Sequence, residues 1–240
     1  MIHPQTLEFL KWLEEFNDKK FFELYKPLYL KIKEAFDNFI NEEISEISKF
    51  DTSLEWLTAK QCVYRIYKDQ RFPKNREAPY KTNLWWFITP NWKKFNKAWY
   101  YIHIENNKCM ICWWLARPEP KDMKSTRQAI LENPTEFLKI INNKKFKEVF
   151  WWVFTIREPL KNLPKLDIDT APLSKGGLRG DYSTKDIKEL WKIEKYLKYK
   201  DRLVELPLSN KEVLSPDFGE KIVEYCKILY PFVNFINENL

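Results

Sequence analysis

The sequence predicts an α+β protein in which a mainly antiparallel, curved sheet is flanked by N-terminal, middle and C-terminal helices. Three observations carry that reading. Apolar residues recur at helical spacing through roughly the first 50 residues. Between Gln61 and Ala116 the period changes to two. The segments of that second region follow one another without crossover helices, so neighbouring strands must run antiparallel. A chain of 240 residues can bury one sizeable core. It is read as a single domain, with a helical part over 4–50, a sheet core over 61–116, and helices, further strands and a terminal helix over 117–240.

In chain order, Leu7, Leu10, Leu13 and Phe16 mark a first helix, and Asn17-Asp18 breaks and recaps the chain. Phe22, Tyr25, Ile32, Phe36, Phe39, Ile40, Ile44 and Ile47 continue the period, with Pro27 marking a kink or a new start. Strands are expected near 61–68, 82–88, 97–105 and 108–115, the last two joined by a tight Asn106-Asn107 turn. Pro118-Glu119-Pro120 ends the sheet run. Helices near 121–132 and 135–142 follow, the second with Pro134 at its first position. Glu148 to Thr155 reads as a strand, Ser183-Thr184 caps a helix near 185–194, and Tyr196 to Glu205 reads as a strand. Ser215-Pro216 opens a final helix to about Asn237, disturbed at Pro231.

Charge narrows the function. The net charge is +7, yet the segment from Lys60 to Lys97 carries ten cations against Asp69 and Glu77. The remainder of the chain is therefore close to neutral, so an anionic partner would be met locally. The alternative is a solvated basic face with no ligand. Aromatic residues make up 17% of the chain, with 11 Trp, six of them between Trp85 and Trp114. Such rings build sheet cores, and some can line a cleft where bases stack. The N-terminus lacks the features of a signal peptide, and no apolar run is long enough to span a bilayer. The four cysteines form no disulfide framework. A cytoplasmic protein with no membrane partner is expected.

The stretch from Cys62 to Trp86 concentrates the chemistry. On a strand, Arg65, Tyr67, Asp69 and Arg71 would share one face. Tyr80, Lys81 and Asn83 follow close behind. Guanidinium forks bind carboxylate or phosphate, and an ammonium adds a point charge. Asp69 between two Arg should stay ionised. The same residues could equally form an Arg-Asp-Arg brace tying the strand to the loop 72–79.

These residues also resemble an uncharacterised family catalogued as domain of unknown function 2461. The resemblance runs through Phe9-Leu10, Asn17 and Phe22, and peaks at Arg65-Ile66-Tyr67-Lys68-Asp69 with Arg71-Phe72 and at Pro79-Tyr80-Lys81-Thr82-Asn83. It continues through Tyr101-Ile102-His103-Ile104, Trp114, Pro118 and Arg127. Asp18, Phe21 and Pro73 depart from its pattern, as does the loop 172–182. The resemblance implies a fold and a site that includes Arg127, and it names no activity.

Other constellations are weaker. Cys109 and Cys112, three apart in a strand, face opposite sides, so neither metal nor redox chemistry is expected of them. His103 shares a strand face with Tyr101 and Glu105 and could be a general base or a hydrogen-bonded core group. Three of the four glycines fall in Ser174 to Asp181, a basic loop without phosphate-loop spacing. The reading is binding of an anionic, phosphate-bearing ligand such as a nucleotide or nucleic acid at Arg65, Tyr67, Asp69, Arg71, Tyr80, Lys81, Asn83 and Arg127, with no cofactor or metal. The alternatives are an enzyme acting on such a ligand, with Asp69 or His103 as acid/base, and a module that docks a protein partner.

Overall fold

In the computed structural model, which describes residues 2–89, 99–115, 118–150, 157–165 and 184–240, the N-terminal helical pattern resolves into α1 (Thr6–Glu15) and α2 (Lys19–Ser48). Asp18 caps α2 by accepting a hydrogen bond from the Phe21 N–H at 2.9 Å. Pro27 starts no new helix, because α2 runs through it unbroken. A 3-10 turn (Thr52–Leu54) and two helical turns, α3 (Ala59–Cys62) and α4 (Lys74–Glu77), lead to the sheet. The strands are β1 (Asn83–Ile88), β2 (Trp99–Glu105), β3 (Cys109–Leu115) and β4 (Arg202–Leu208). They form one open antiparallel sheet in the order β1-β2-β3-β4, so the protein is α+β. Between β3 and β4 come α5 (Pro120–Glu132), α6 (Pro134–Ile141), α7 (Lys144–Phe150) and α8 (Thr184–Leu197). After β4 come α9 (Asn210–Val213) and α10 (Phe218–Asn237). No helix among the described residues is long and apolar enough to cross a membrane.

Three expected strands are corrected. The segment 61–68 is not a regular strand: α3 holds its first residues, and the rest meets the chain 80–86 only through isolated bridges. Val63 bridges Trp86 and Tyr67 bridges Tyr80. Four steps on one side thus face six on the other, a bulge that breaks the ladder. Residues 148–150 close α7, because Phe146 and Phe150, one turn apart, both go into the core. Residues 151–155 lie outside the described residues. Tyr196 and Leu197 still belong to α8, whose Leu190 and Ile193 share their buried face, so the strand starts only at Arg202.

The chain divides into two compact units: Met1–Trp92 with Tyr100–Cys112 and Glu205–Lys227, and Lys93–Trp99 with Trp113–Val204 and Ile228–Leu240. In the first, one sheet face is apolar throughout. Leu84, Trp86 and Ile88 of β1 alternate into it, as do Tyr100, Ile102 and Ile104 of β2, all nearly inaccessible. The helix α2 covers this face, with the Phe36 and Phe39 rings edge-on to Trp86 at 5.0 and 6.2 Å. At the start of α10, Phe218 stacks on Phe39 at 5.8 Å. In the second unit Phe137 meets Tyr196 and Phe232, and Phe146 and Trp113 also pack on Phe232.

Candidate functional site

The opposite face of β1 and β2 is half-open and chemically mixed. The pairing Asn83↔Glu105, Trp85↔His103 and Phe87↔Tyr101 sets these six side chains on it. Tyr64 joins them from the segment 61–68, stacked on Trp85 with ring centres 3.9 Å apart and planes 13° apart. Lys81, in the bulge, donates from Nζ to the Arg65 carbonyl at 2.6 Å and lies over both rings, 5.5 Å from Tyr64 and 5.3 Å from Trp85. Burial, and then the nearby Arg65 charge, lower the Lys81 pKa. Among the described residues no carboxylate pairs with Arg65 or Lys81.

The loop that follows Tyr67 is self-contained. Asp69 accepts from Arg71 Nε at 3.0 Å, from Nη2 at 2.6 Å and from the Arg71 N–H at 3.0 Å. These hydrogen bonds hold its carboxyl down at about 2. Asn75 Nδ2 donates to the Asp69 carbonyl at 2.7 Å, and Arg76 Nε to that of Gln70 at 3.3 Å. Asp69 and Arg71 therefore sit in a turn and do not continue a strand face with Arg65 and Tyr67. In geometry this is a local brace, although Arg71 remains 87% exposed.

Tyr80 is buried rather than offered to a ligand. Its ring stacks on Phe22 at 4.0 Å, and Tyr67 packs against both rings. Its N–H donates to Asn17 Oδ1, and its carbonyl accepts from Asn17 Nδ2, both at 2.9 Å. The flanking bonds, Lys68 N–H to the Pro79 carbonyl and Lys81 N–H to the Ile66 carbonyl, point the other way. The Asn17 amide thus stands in for a missing neighbouring strand. Asn83 Oδ1 is shut off from solvent with no hydrogen-bond partner. Arg127 lies in the second unit, on α5, where it is buried and donates from Nη2 to the Tyr199 carbonyl at 2.7 Å. Burial, then the neighbouring Arg157, lower its pKa. Lys93, Lys94 and Lys97 of the basic stretch, and the whole glycine loop, lie outside the described residues.

On β2 the row Tyr101, His103 and Glu105 forms a chain of hydrogen bonds. Tyr101 Oη lies 2.8 Å from His103 Nδ1, and His103 Nε2 lies 3.0 Å from Glu105 Oε2. Thr82 Oγ1 donates to Glu105 Oε1 at 3.1 Å, and Lys108 lies at 3.6 Å. Burial acts to raise the Glu105 pKa, but the bonds from His103 and Thr82 outweigh it and leave it lowered. An ionised carboxylate only accepts, so a neutral His103 carries its proton on Nε2 and accepts at Nδ1 from the Tyr101 hydroxyl. Burial, Cys112 and Glu105 push the Tyr101 phenol well above its usual range. Burial also raises Cys112, to about 12, and Cys109, so both are protonated thiols. The sequence reading had His103, Tyr101 and Glu105 on one face. It missed Tyr64, Trp85 and Asn17; the visible signal for Trp85 was its alternation with the buried Leu84 and Trp86.

A cationic, ring-stacked edge beside a tyrosine–histidine–carboxylate row on an open antiparallel sheet defines the class: an α+β protein with one sheet face packed and the other chemically equipped. The chain belongs to the conserved hypothetical protein family DUF2461, whose model matches residues 5–235. No curated protein and no solved structure matches it.

Proposed function

We propose that the chain binds an anionic, phosphate-bearing ligand, such as a nucleotide or nucleic acid, at the open face of β1 and β2. The observation that carries this reading is Lys81, held over the Tyr64–Trp85 stack within electrostatic reach of Arg65, with neither cation in an ion pair among the described residues. Like charges in that position favour an anion, and flanking rings suit a base. Trp85 is a ready reporter. Titration should quench its fluorescence, and Lys81→Ala or Arg65→Ala should weaken binding severalfold. A nucleic acid should also lose affinity steeply with salt, whereas a mononucleotide should respond weakly. Unchanged affinity in both variants would sink the proposal. The free, buried thiols of Cys62, Cys109, Cys112 and Cys226 are in keeping with a reducing, cytoplasmic setting.

A second reading, an enzyme acting on such a ligand, is favoured by the Tyr101–His103–Glu105 row. There His103 would take a proton at Nδ1 while Glu105 steadies the resulting imidazolium. Asp69 suits that role poorly, because Arg71 holds it ionised in a turn. Turnover lost in His103→Gln with binding retained would select this reading.

A further inference from the structure

A recess of about 530 Å³ opens between α2 and the first turns of α10, within the first unit. Phe39, Pro216 and Val223 give it apolar walls. Glu42, Glu43, Glu46 and Glu220 also line it, in a protein whose net charge is positive. Of these Glu43 is the unusual one. It is only 5% exposed, and its Oε2 is sealed from solvent without a hydrogen-bond partner. Its Oε1 lies so close to Gly219 that a Cβ there would collide with it and crowd the Phe39 ring. The carboxyl is therefore wedged between two helices with no hydrogen-bond partner at Oε2, and burial outweighs the attraction of the N-terminal ammonium, an arrangement that costs several kcal/mol when ionised. Its own helix adds Glu42 and Glu46, α10 adds Cys226 and Glu220, Asp51 acts on Cys226, and the N-terminal ammonium acts favourably on Glu43. Lys49 pairs with Glu46 and Lys221 with Asp217.

We propose that this recess binds a small aliphatic amine, its ammonium meeting Glu43 and its carbon stem lying along Phe39 and Val223. The carboxylates are spread along the walls rather than converged. Among the described residues no three metal-ligating side chains gather as a metal ion would need. A compact divalent ion is thus a poor occupant, and an extended organic cation with an apolar middle fits both the charge and the walls. Ammonium binding also relieves the ionised carboxylate, whose burial lifts its pKa to about 7. Occupancy should therefore rise with pH. This site is independent of the open sheet face.

The probe is 1,4-diaminobutane, followed by titration calorimetry on the whole chain. One saturable site is expected at about pH 8, weaker by roughly tenfold or more at about pH 5.5, where Glu43 is neutral. Glu43→Gln should weaken it by about tenfold or more at the higher pH, the scale of a lost charged hydrogen bond. Val223→Lys, which tethers an ammonium in the recess, should abolish diamine binding while preserving the melting temperature. It decides the matter should Glu43→Gln fail to fold. No heat of binding up to about 10 mM diamine, or equal affinity in wild type and the folded variants, would overturn the proposal.

Discussion

Asn17 offers the sharpest test of how the site is built, because one short side chain fixes the segment that carries Lys81. Asn17→Ala deletes both hydrogen bonds to the Tyr80 main chain. Each neutral bond contributes about 1 kcal/mol net, and leaving the N–H and carbonyl of a buried residue without partners adds a penalty of about 1–3 kcal/mol where water cannot enter. Tyr80 is 4% exposed and stacked on Phe22, so water has little access. The expected loss is about 3–5 kcal/mol, or about 6–20 °C in melting temperature for a chain of this length. Asn17→Asp keeps the acceptor for the Tyr80 N–H but sets a carboxylate oxygen against the Tyr80 carbonyl, so it should do no better than Ala. Urea unfolding followed by tryptophan fluorescence reads both. The slope against urea should stay constant, which marks a change in stability rather than in the unfolded chain. A loss below about 0.5 kcal/mol for Ala, or an Asp variant as stable as wild type, would refute the clamp.

Four further outcomes follow from the same geometry. Arg71→Ala should let the Asp69 pKa climb from about 2 towards its ordinary value of 3.8. A depressed carboxylate stabilises the fold above its ordinary pKa and loses that contribution as pH falls towards 2, but Arg71 stands in solvent, where screening weakens the pair, so thermal melts near neutral pH should hardly move. A large drop would show the loop brace to be structural after all. Gly219→Ala would normally stabilise a helix by about 1 kcal/mol; here it should destabilise, and Glu43→Ala should restore the gain, as a double-mutant cycle by urea unfolding would show. The raised Glu43 pKa makes its contribution to stability complete below about 4.5 and lost as pH rises through about 7. Free of amine, the protein should weaken by about 3 kcal/mol between those limits, a slope that Glu43→Gln should remove in pH-dependent melts. Tyr101→Phe should leave the fold intact but shift the His103 Nδ1 signal in nitrogen NMR, since its hydrogen-bond donor is gone; an unshifted signal would refute the assigned tautomer.

How far the sequence could be read depended on whether a pattern had one physical cause or two. The helices were legible because Asp18 and Pro134 mark helix starts by local chemistry alone, while Ser215-Pro216 lies in the turn just before α10 begins at Phe218. β1, β2 and β3 were legible because one of their faces is fully buried, which fixes the period and the register together. The segment 61–68 shows the same alternation, but its register is broken by the bulge across from it, and a bulge on the partner chain leaves no trace in the segment itself. Past Tyr67 the chain turns, which separates Arg65 and Tyr67 in role from Asp69 and Arg71, residues the period alone had lined up. His103 was legible as one of a row, since residues i, i+2 and i+4 of a strand must face the same way. The long-range partners were not. The Asn17–Tyr80 clamp spans 63 residues, and Glu43 meets Gly219 across most of the chain. Local spacing carries no information about such meetings. They arise only when packing brings the helices and the sheet together, and they leave a carboxylate or a main-chain pair in a place that neither sequence neighbourhood foretells.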